Sequence, residues 1–354
     1  MPPAVSVVMA VFNGDRYLPE TLASLRAQTF ADFEIIVVDD GSTDDTARIL
    51  ADFAGQDGRC RIITQTNQGQ VAARNLGAAQ AAAPLLAWLD ADDVAEPERL
   101  AKQTDYLRAH PEIAALGSAL RIIDATSTEL SVQPYPVGSV AVANRMLEES
   151  ALAHSAVMMR REVFLKIGGY RSAFLHAEDY DLWLRLLDRY AADNLPERLV
   201  RYRQHADSLS FRSRRQQSLA AFAARYAART RRAGKPDPFI NRALPINGEI
   251  FGELSVASAD EAAFRFACLT SCLNPAGQAI DDAWITENLQ RSWALRRHLP
   301  RGRYVRRCLI PYAHRAWNQG RRGEALGWLW KAITRAPLTA CWRFLRGGYT
   351  SPLS

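Results

Sequence analysis

The chain has 354 residues, 48% of them hydrophobic and 23% charged, a globular composition that fits about two domains and excludes a disordered or fibrous chain. The net charge of +6 is uneven: residues 1–215 carry 23 Lys and Arg against 29 Asp and Glu, and residues 216–354 carry 21 against 9. A mildly acidic region thus precedes a strongly basic one, and the two are expected to meet different partners.

Five cysteines, at 60, 268, 272, 308 and 341, are few and scattered, and the Cys268/Cys272 pair has no second pair to complete a zinc site. Reduced thiols and a cytoplasmic location are therefore expected. The N-terminus has no basic stretch ahead of its apolar run, and no apolar run approaches the roughly 18–20 residues that span a bilayer. Any membrane contact is expected to be peripheral, on the inner face of the plasma membrane.

Taken in order, Val5–Val11 is a Val-rich run of the kind buried on both faces of a parallel sheet, and it stops at Phe12-Asn13-Gly14. Tyr17, Leu18, Leu22 and Leu25 then recur at helical spacing. Glu34–Val38 is a second buried strand ending at Asp39-Asp40. After it, Ser42 or Thr43 is the natural N-cap of a helix with Asp44 and Asp45 in its first turn. Arg61–Thr64 is a short third strand, and residues 69–82 form an alanine-rich helix carrying Arg74 and Asn75. Leu85–Leu89 is a fourth strand, ending in Asp90-Ala91-Asp92-Asp93. This alternation predicts an α/β fold with a parallel sheet and right-handed crossovers. Such sheets bind ligands beyond the carboxyl ends of their strands. Three strands deliver polar groups there: Asn13, then Asp39/Asp40, then Asp90/Asp92.

Three carboxylates packed together repel one another and are costly to bury unpaired. The cluster therefore wants water, basic partners or a hard divalent cation such as Mg²⁺ or Mn²⁺, which shares oxygen ligands with substrate phosphates. An acidic loop tip is the plainer alternative. The first turn has no Gly-x-Gly-x-x-Gly, which excludes the usual dinucleotide fold, and no Gly-x-x-x-x-Gly-Lys-Ser/Thr occurs. Phosphates would have to be held by a metal and by basic side chains such as Arg74.

Beyond Asp93, Pro97 sits near a helix start, and Leu100, Gln103 and Leu107 continue that helix to His110-Pro111. Residues 114–123 read as a strand, and 124–150, with Pro134 and Pro136, as irregular. His154–Arg161 is an apolar run and Gly168-Gly169-Tyr170 a turn. Leu182, Leu186 and Leu187 mark a helix that opens with Glu178, Asp179 and Asp181. Acids stabilise a helix N-terminus on dipole grounds alone; the functional alternative is a carboxylate poised as general base. Tyr202-Arg203-Gln204-His205 closes the acidic region.

The assembled motifs are Ala10-Val11-Phe12-Asn13, Val38-Asp39-Asp40-Gly41-Ser42-Thr43-Asp44, Asn67-x-Gly69 with Ala73-Arg74-Asn75, Asp90-Ala91-Asp92-Asp93, Gly168-Gly169-Tyr170 and Glu178-Asp179. Over about residues 4–211 this ordered set resembles the family 2 glycosyltransferases of the GT-A fold. Each motif is weak alone; the order is specific. Phe12 departs from the more usual Tyr, keeping the ring and losing a hydroxyl. The resemblance implies a Rossmann-like GT-A catalytic domain over residues 1–215, a mostly parallel sheet flanked by helices. It implies that Val11, Asn13, Asp40 and Arg74 surround the nucleotide, that Asp90 faces the ribose and that Glu178 joins the nucleotide-sugar site. Asp92 would hold a Mg²⁺ or Mn²⁺ ion, with His205 approaching the metal or diphosphate, and Asp179 would be the catalytic base. The implied reaction moves a sugar from a nucleoside-diphosphate sugar to a saccharide or lipid-linked acceptor hydroxyl, by a single displacement with inversion, as in bacterial surface-polysaccharide synthesis. A nucleotidyltransferase and a non-catalytic sugar-nucleotide-binding or scaffold protein are the alternatives.

Residues 216–354 are expected to form a basic helical region. It opens on an Ala/Arg helix over 220–233. Two loosely alike segments, Glu261–Pro275 and Glu324–Pro337, are similar to the second helix of a tetratricopeptide repeat, or are two ordinary amphipathic helices. Arg296–Arg346 holds 13 Lys and Arg against one acid, Glu324, with Trp317, Trp328, Trp330, Trp342 and Phe344 interleaved. That composition suits an anionic membrane surface, an anionic polymer or a solvated face over a Trp core. No motif supports nucleic acid as a partner.

Overall fold

The structure, a computed structural model, describes residues 2–205 and 213–246 and, further on, 289–290, 309, 312–313, 316–317 and 320–335. β1 (Val5–Val11), β2 (Phe33–Asp39), β3 (Cys60–Thr64) and β4 (Leu85–Trp88) run parallel in the order β3-β2-β1-β4. The crossovers are α1 (Leu18–Arg26), α2 (Thr46–Gln56) and α3 (Gln70–Gln80), and α4 (Arg99–Ala109) follows β4. In β1, Val5, Val7, Met9 and Val11 face a core shared with Leu18, Leu22 and Leu25 of α1 and Leu100 and Leu107 of α4. On the opposite face Val8 meets α3, where a Cβ on Gly77 would stand 2.6 Å from Val8 Cγ1. A glycine is what lets α3, the helix carrying Arg74, lie this close to the sheet. The helix after β2 starts later than its hydroxyl residues suggest: it begins at Thr46, whose amide donates to Asp44 Oδ1 at 3.0 Å.

The sheet continues through β5 (Val94–Ala95), β6 (Ile113–Ile123), β7 (Glu129–Gln133), β8 (Met158–Arg160) and β9 (Ala191–Arg203). β8 joins β4 antiparallel, β6 lies between β8 and β9, β9 runs parallel to β6, and β5 pairs with β9 at the far edge. α5 (Ser139–Met146), α6 (Arg161–Lys166) and α7 (Glu178–Leu186) complete this part. Residues 124–150, expected to be irregular, contain β7 and α5. All of β7 is exposed and it is held by edge pairing to β6, so no buried apolar alternation marks it in the sequence.

The chain divides into two compact units, Met1–Arg212 with Ala223–Pro245, and Ser213–Phe222 with Ile246–Ser354. α8 (Arg214–Arg232) is the Ala/Arg helix, begun earlier than expected; Ala223, Ala224, Ala227 and Ala228 are buried. In the second unit, α9 (Arg322–Arg335) buries Ala325, Trp328 and Ala332 and exposes Leu326 and Trp330. Lys331 Nζ stands 3.8 Å over the Trp328 ring. The segment Glu261–Pro275, Cys268, Cys272 and much of 296–346 lie outside the described residues. Among the described residues no helix is long and apolar enough to cross a membrane.

Candidate active site

β1 ends at Val11, and the turn after it carries Asn13, whose φ of 51° is in the left-handed region that asparagine tolerates. Its amide donates to Ser42 Oγ at 2.9 Å, and its Oδ1 accepts the Thr43 amide at 2.8 Å. The hydroxyl residues after β2 therefore fasten the first turn to the second instead of capping α2. The Val11 side chain lies in the core, and its carbonyl accepts the Asp40 amide at 2.9 Å. Asp40 is buried with both oxygens engaged: Oδ1 accepts from Gln65 Nε2 at 2.6 Å and the Gln68 amide at 2.8 Å, and Oδ2 from the Gly69 amide at 2.8 Å. It thereby fixes the loop that leads into α3.

Arg74 stands at the centre. Buried, it donates from Nη1 to Glu178 Oε1 at 2.6 Å and from Nη2 to Asp90 Oδ1 at 2.7 Å. Gln70, one turn earlier, also donates to Glu178 Oε1, at 2.8 Å. Burial opposes the charge on Arg74, but Asp90 and Glu178 outweigh it and keep the guanidinium charged. Burial likewise pushes the Asp90 carboxyl up, and Arg74 with His154 brings it well below the usual carboxylate range. The second Asp90 oxygen accepts from Ser155 Oγ at 2.9 Å and lies 3.3 Å from His154 Nδ1.

The other two acids of the cluster part company. Asp92 keeps its side chain 33% exposed and sets Oδ2 3.0 Å from His205 Nε2. Among the described residues the buried His205 Nδ1 has no hydrogen-bond partner, and its ring lies 4.8 Å from that of Tyr17. Asp93 is fully buried and accepts the Arg203 amide at 2.8 Å; burial, with Asp92 and Asp90 beside it, pushes its carboxyl well above the ordinary range. β5 follows Asp93 at once, and α4 begins at Arg99. Buried Arg203, to which the sequence assigned no role, donates to the Asp92 carbonyl at 2.9 Å, the Asp124 carbonyl at 3.1 Å and Glu20 Oε2 at 2.6 Å. The described residues hold no cluster of three or more His, Cys, Asp or Glu placed as metal ligands. A partly exposed carboxylate with an imidazole beside it, whose far nitrogen has no partner among the described residues, is still a donor pair that suits a divalent cation completed by substrate oxygens and water.

α7 brings the last pair. Glu178 is buried and held by Arg74 and Gln70. Asp179 is only partly buried; its Oδ1 accepts the Tyr180 amide at 2.7 Å, and burial with Glu178 alongside pushes its carboxyl up to about 6. Glu178 is thus engaged as a strut, while Asp179 titrates where a general base works best. The turn ahead of α7 is pinned from two sides. Asn75 donates from Nδ2 to the Tyr170 carbonyl and accepts the Tyr170 amide on Oδ1, both at 2.9 Å. Arg185 donates to the carbonyls of Ile167 at 2.5 Å and Gly169 at 2.6 Å. Gly169 has φ 63°, and a Cβ there would stand 2.7 Å from Asn75 Oδ1. Asp181, fully buried, pairs with Arg171 and Arg185, and Arg171 reaches Asp237, which Arg231 also holds.

The structure therefore gathers Arg74, Asp90, Glu178 and, beside it, Asp179; sets Asp92 against His205; and puts Asn13 and Asp40 at neighbouring strand ends. His154, Ser155 and Gln70 join the site without a sequence signal, and Tyr170, quoted only as part of the Gly168-Gly169-Tyr170 motif, joins it in a role the motif did not name: a lone His or a turn Tyr gains a role only when tertiary contacts give it partners.

Residues 6–168 match the model of Glycosyl transferase family 2. The putative glycosyltransferase EpsE of Bacillus subtilis is 32% identical over 217 residues, 60% of this chain and 77% of the relative. The O-antigen biosynthesis glycosyltransferase WbnJ of Escherichia coli is 33% identical over 210 residues, 58% of this chain and 81% of the relative. Among solved structures, S. aureus TarS 1-349 in complex with UDP shares the fold with a TM-score of 0.56 at 16% identity, over 98% of this chain and 93% of that one. The mannosyltransferase PcManGT from Pyrobaculum calidifontis, in complex with GDP-Man and Mn²⁺, aligns with a TM-score of 0.52 at 19% identity, over 84% of this chain and 83% of that one.

Proposed function

Because the chain belongs to glycosyl transferase family 2 and is a glycosyltransferase, we propose that it moves a sugar from a nucleoside-diphosphate sugar to the hydroxyl of a saccharide or lipid-linked acceptor, in one displacement that inverts the anomeric centre. The observation that carries this reading is the Arg74 bridge. One buried guanidinium ties Asp90, at the end of β4, to Glu178, at the start of α7, and so brings the Asp-x-Asp edge and the base candidate Asp179 into one site.

In this reading Val11, Asn13 and Asp40 shape the nucleotide end, Asp90 meets the ribose, and Arg74 and Glu178 hold Asp90 and Asp179 in place. Asp92 and His205 would hold a Mg²⁺ or Mn²⁺ ion. Bound there, the ion would supply positive charge against the departing diphosphate. Asp179 takes the proton of the acceptor hydroxyl as its oxygen bonds to the anomeric carbon and the bond to the diphosphate breaks. One base suffices for such an in-line displacement. The UDP of the TarS complex and the GDP-Man and Mn²⁺ of the PcManGT complex support a nucleotide-sugar donor and a divalent ion.

Release of free nucleoside diphosphate from nucleotide sugars is the test. Asp179→Asn should abolish it while nucleotide binding survives; normal turnover in that variant would remove Asp179 from the base role. Asp92→Ala should lose the metal-dependent part of nucleotide affinity by calorimetry, and unchanged affinity would count against Asp92 as the ligand. Release of pyrophosphate instead would favour a nucleotidyltransferase.

For the basic region 216–354, as distinct from the catalytic region 1–215, we propose peripheral docking on an anionic membrane through Arg296–Arg346, on the cytoplasmic face where a lipid-linked acceptor would be met. WbnJ is named for O-antigen biosynthesis, which supports a polysaccharide-building role. Flotation with anionic vesicles at low salt tests this; protein left wholly in the soluble fraction would argue against it.

A further inference from the structure

We propose that His154 and Tyr170 are positioning residues for donor binding, members of a closed ring of side chains that sets the orientation of Asp90. The proposal rests on Asp90 being a nucleotide-sugar contact. The ring can be followed from residue to residue. Arg74 Nη2 donates to Asp90 Oδ1 at 2.7 Å, Asp90 Oδ2 lies 3.3 Å from His154 Nδ1, and His154 Nε2 lies 3.1 Å from the Tyr170 hydroxyl. Tyr170 is bound through its own amide and carbonyl to Asn75, at 2.9 Å each, and Asn75 adjoins Arg74 on α3. The circuit thus joins α3, the end of β4, the short helical turn His154–Ala156 and the turn before α7.

The direction of the ring follows from its chemistry. Tyr170 is buried, which pushes its phenol pKa well above the ordinary value and keeps the O–H protonated. The Asp90 carboxylate only accepts, so His154 carries its hydrogen on Nδ1 and donates to it; Nε2 is then the ring's acceptor, and the Tyr170 hydroxyl donates to it. Fully buried Trp88 supports both, with its ring 5.6 Å from that of His154 and 5.1 Å from that of Tyr170.

Neutralising Asp90 requires only Arg74. The added donors, His154 and Ser155 on Oδ2, fix the rotation of the carboxylate about its own axis. Despite these three donors the Asp90 side chain is still 27% exposed at the carboxyl edge of the sheet. A carboxylate so held and still partly open is oriented for something outside the protein.

Two isosteric substitutions separate positioning from packing. In His154→Asn the amide nitrogen replaces Nδ1 and keeps the bond to Asp90; in His154→Gln the amide takes the Nε2 place, where its oxygen can accept from the Tyr170 hydroxyl, and the donor to Asp90 is lost. The probes are UDP, GDP, ADP, CDP and TDP, titrated calorimetrically with Mn²⁺ present. For whichever the wild-type protein binds, His154→Gln should weaken affinity by about tenfold or more, the scale of one lost hydrogen bond to a charged group, and His154→Asn by less than about threefold. Unchanged affinity in the Gln variant overturns the proposal, as do equal losses in both variants accompanied by lowered melting temperatures, which mark a packing role. A wild-type protein that binds none of the five overturns the donor reading as well. Nitrogen-15 NMR of the imidazole should show the Nδ1–H tautomer; the Nε2–H form overturns the ring independently of any ligand.

Discussion

Asp179→Asn should stabilise the protein while disabling it. In the fold, burial and the neighbouring Glu178 carboxylate raise the Asp179 carboxyl from its ordinary 3.8 to about 6. Two units at about 1.36 kcal/mol each put the ionised form at a disadvantage of about 3 kcal/mol. Partial solvent access trims this to about 1–2 kcal/mol. Because the folded pKa lies above the unfolded one, the penalty is absent below the unfolded value, grows as pH rises from 4 to 6, and is complete above that. Asparagine has no charge to bury and keeps the Oδ1 that accepts the Tyr180 amide at 2.7 Å. Urea denaturation at pH 8 should therefore find the variant more stable by about 1–2 kcal/mol, with the gain shrinking towards zero as pH falls towards 4. Equal stability at pH 8, or a gain that does not vary with pH, would refute the environment assigned to Asp179.

Other outcomes follow from the same contacts. The wild-type kcat/KM should fall on the acid side with an apparent pKa near 6, as Asp179 is protonated; a flat profile from pH 5 to 8 would speak against it as base. Arg74→Gln strands the Glu178 and Asp90 carboxylates and should lower stability by about 3 kcal/mol, the low end for a broken buried pair, which calorimetric scanning would read as a Tm drop of about 6–12 °C. Gly169→Ala should cost about 1–2 kcal/mol, since alanine at φ 63° is strained and its Cβ would press on Asn75 Oδ1; an unchanged Tm would mean that the turn yields.

Much of the catalytic half is local in origin and so was readable along the chain. The runs at Val5–Val11, Glu34–Val38 and Leu85–Leu89 are apolar on both faces, a pattern that only a covered parallel sheet satisfies. A chain that alternates such runs with amphipathic helices must present its strand ends, and hence Asn13, Asp40 and Asp90, along one edge. The helix opening at Glu178 was equally legible from its leucine spacing. β7 was not, because an exposed edge strand buries nothing and leaves no periodicity.

The sequence by itself determined that the sheet is parallel where it begins, that acids crowd the edge where β4 ends, and that a second pair of acids opens a later helix. Only the tertiary structure decided what each acid does. Asp90 and Asp93 are three residues apart, yet Arg74 and His154 hold one charged while burial raises the other. Glu178 and Asp179 are adjacent, yet one is tied to Arg74, 104 positions away, and the other is left to titrate near 6. The physical reason is range. Hydrophobic periodicity is written over a few neighbouring residues, whereas the charge state of a carboxylate depends on burial and on which cation the fold brings within about 3 Å, and no stretch of sequence contains both.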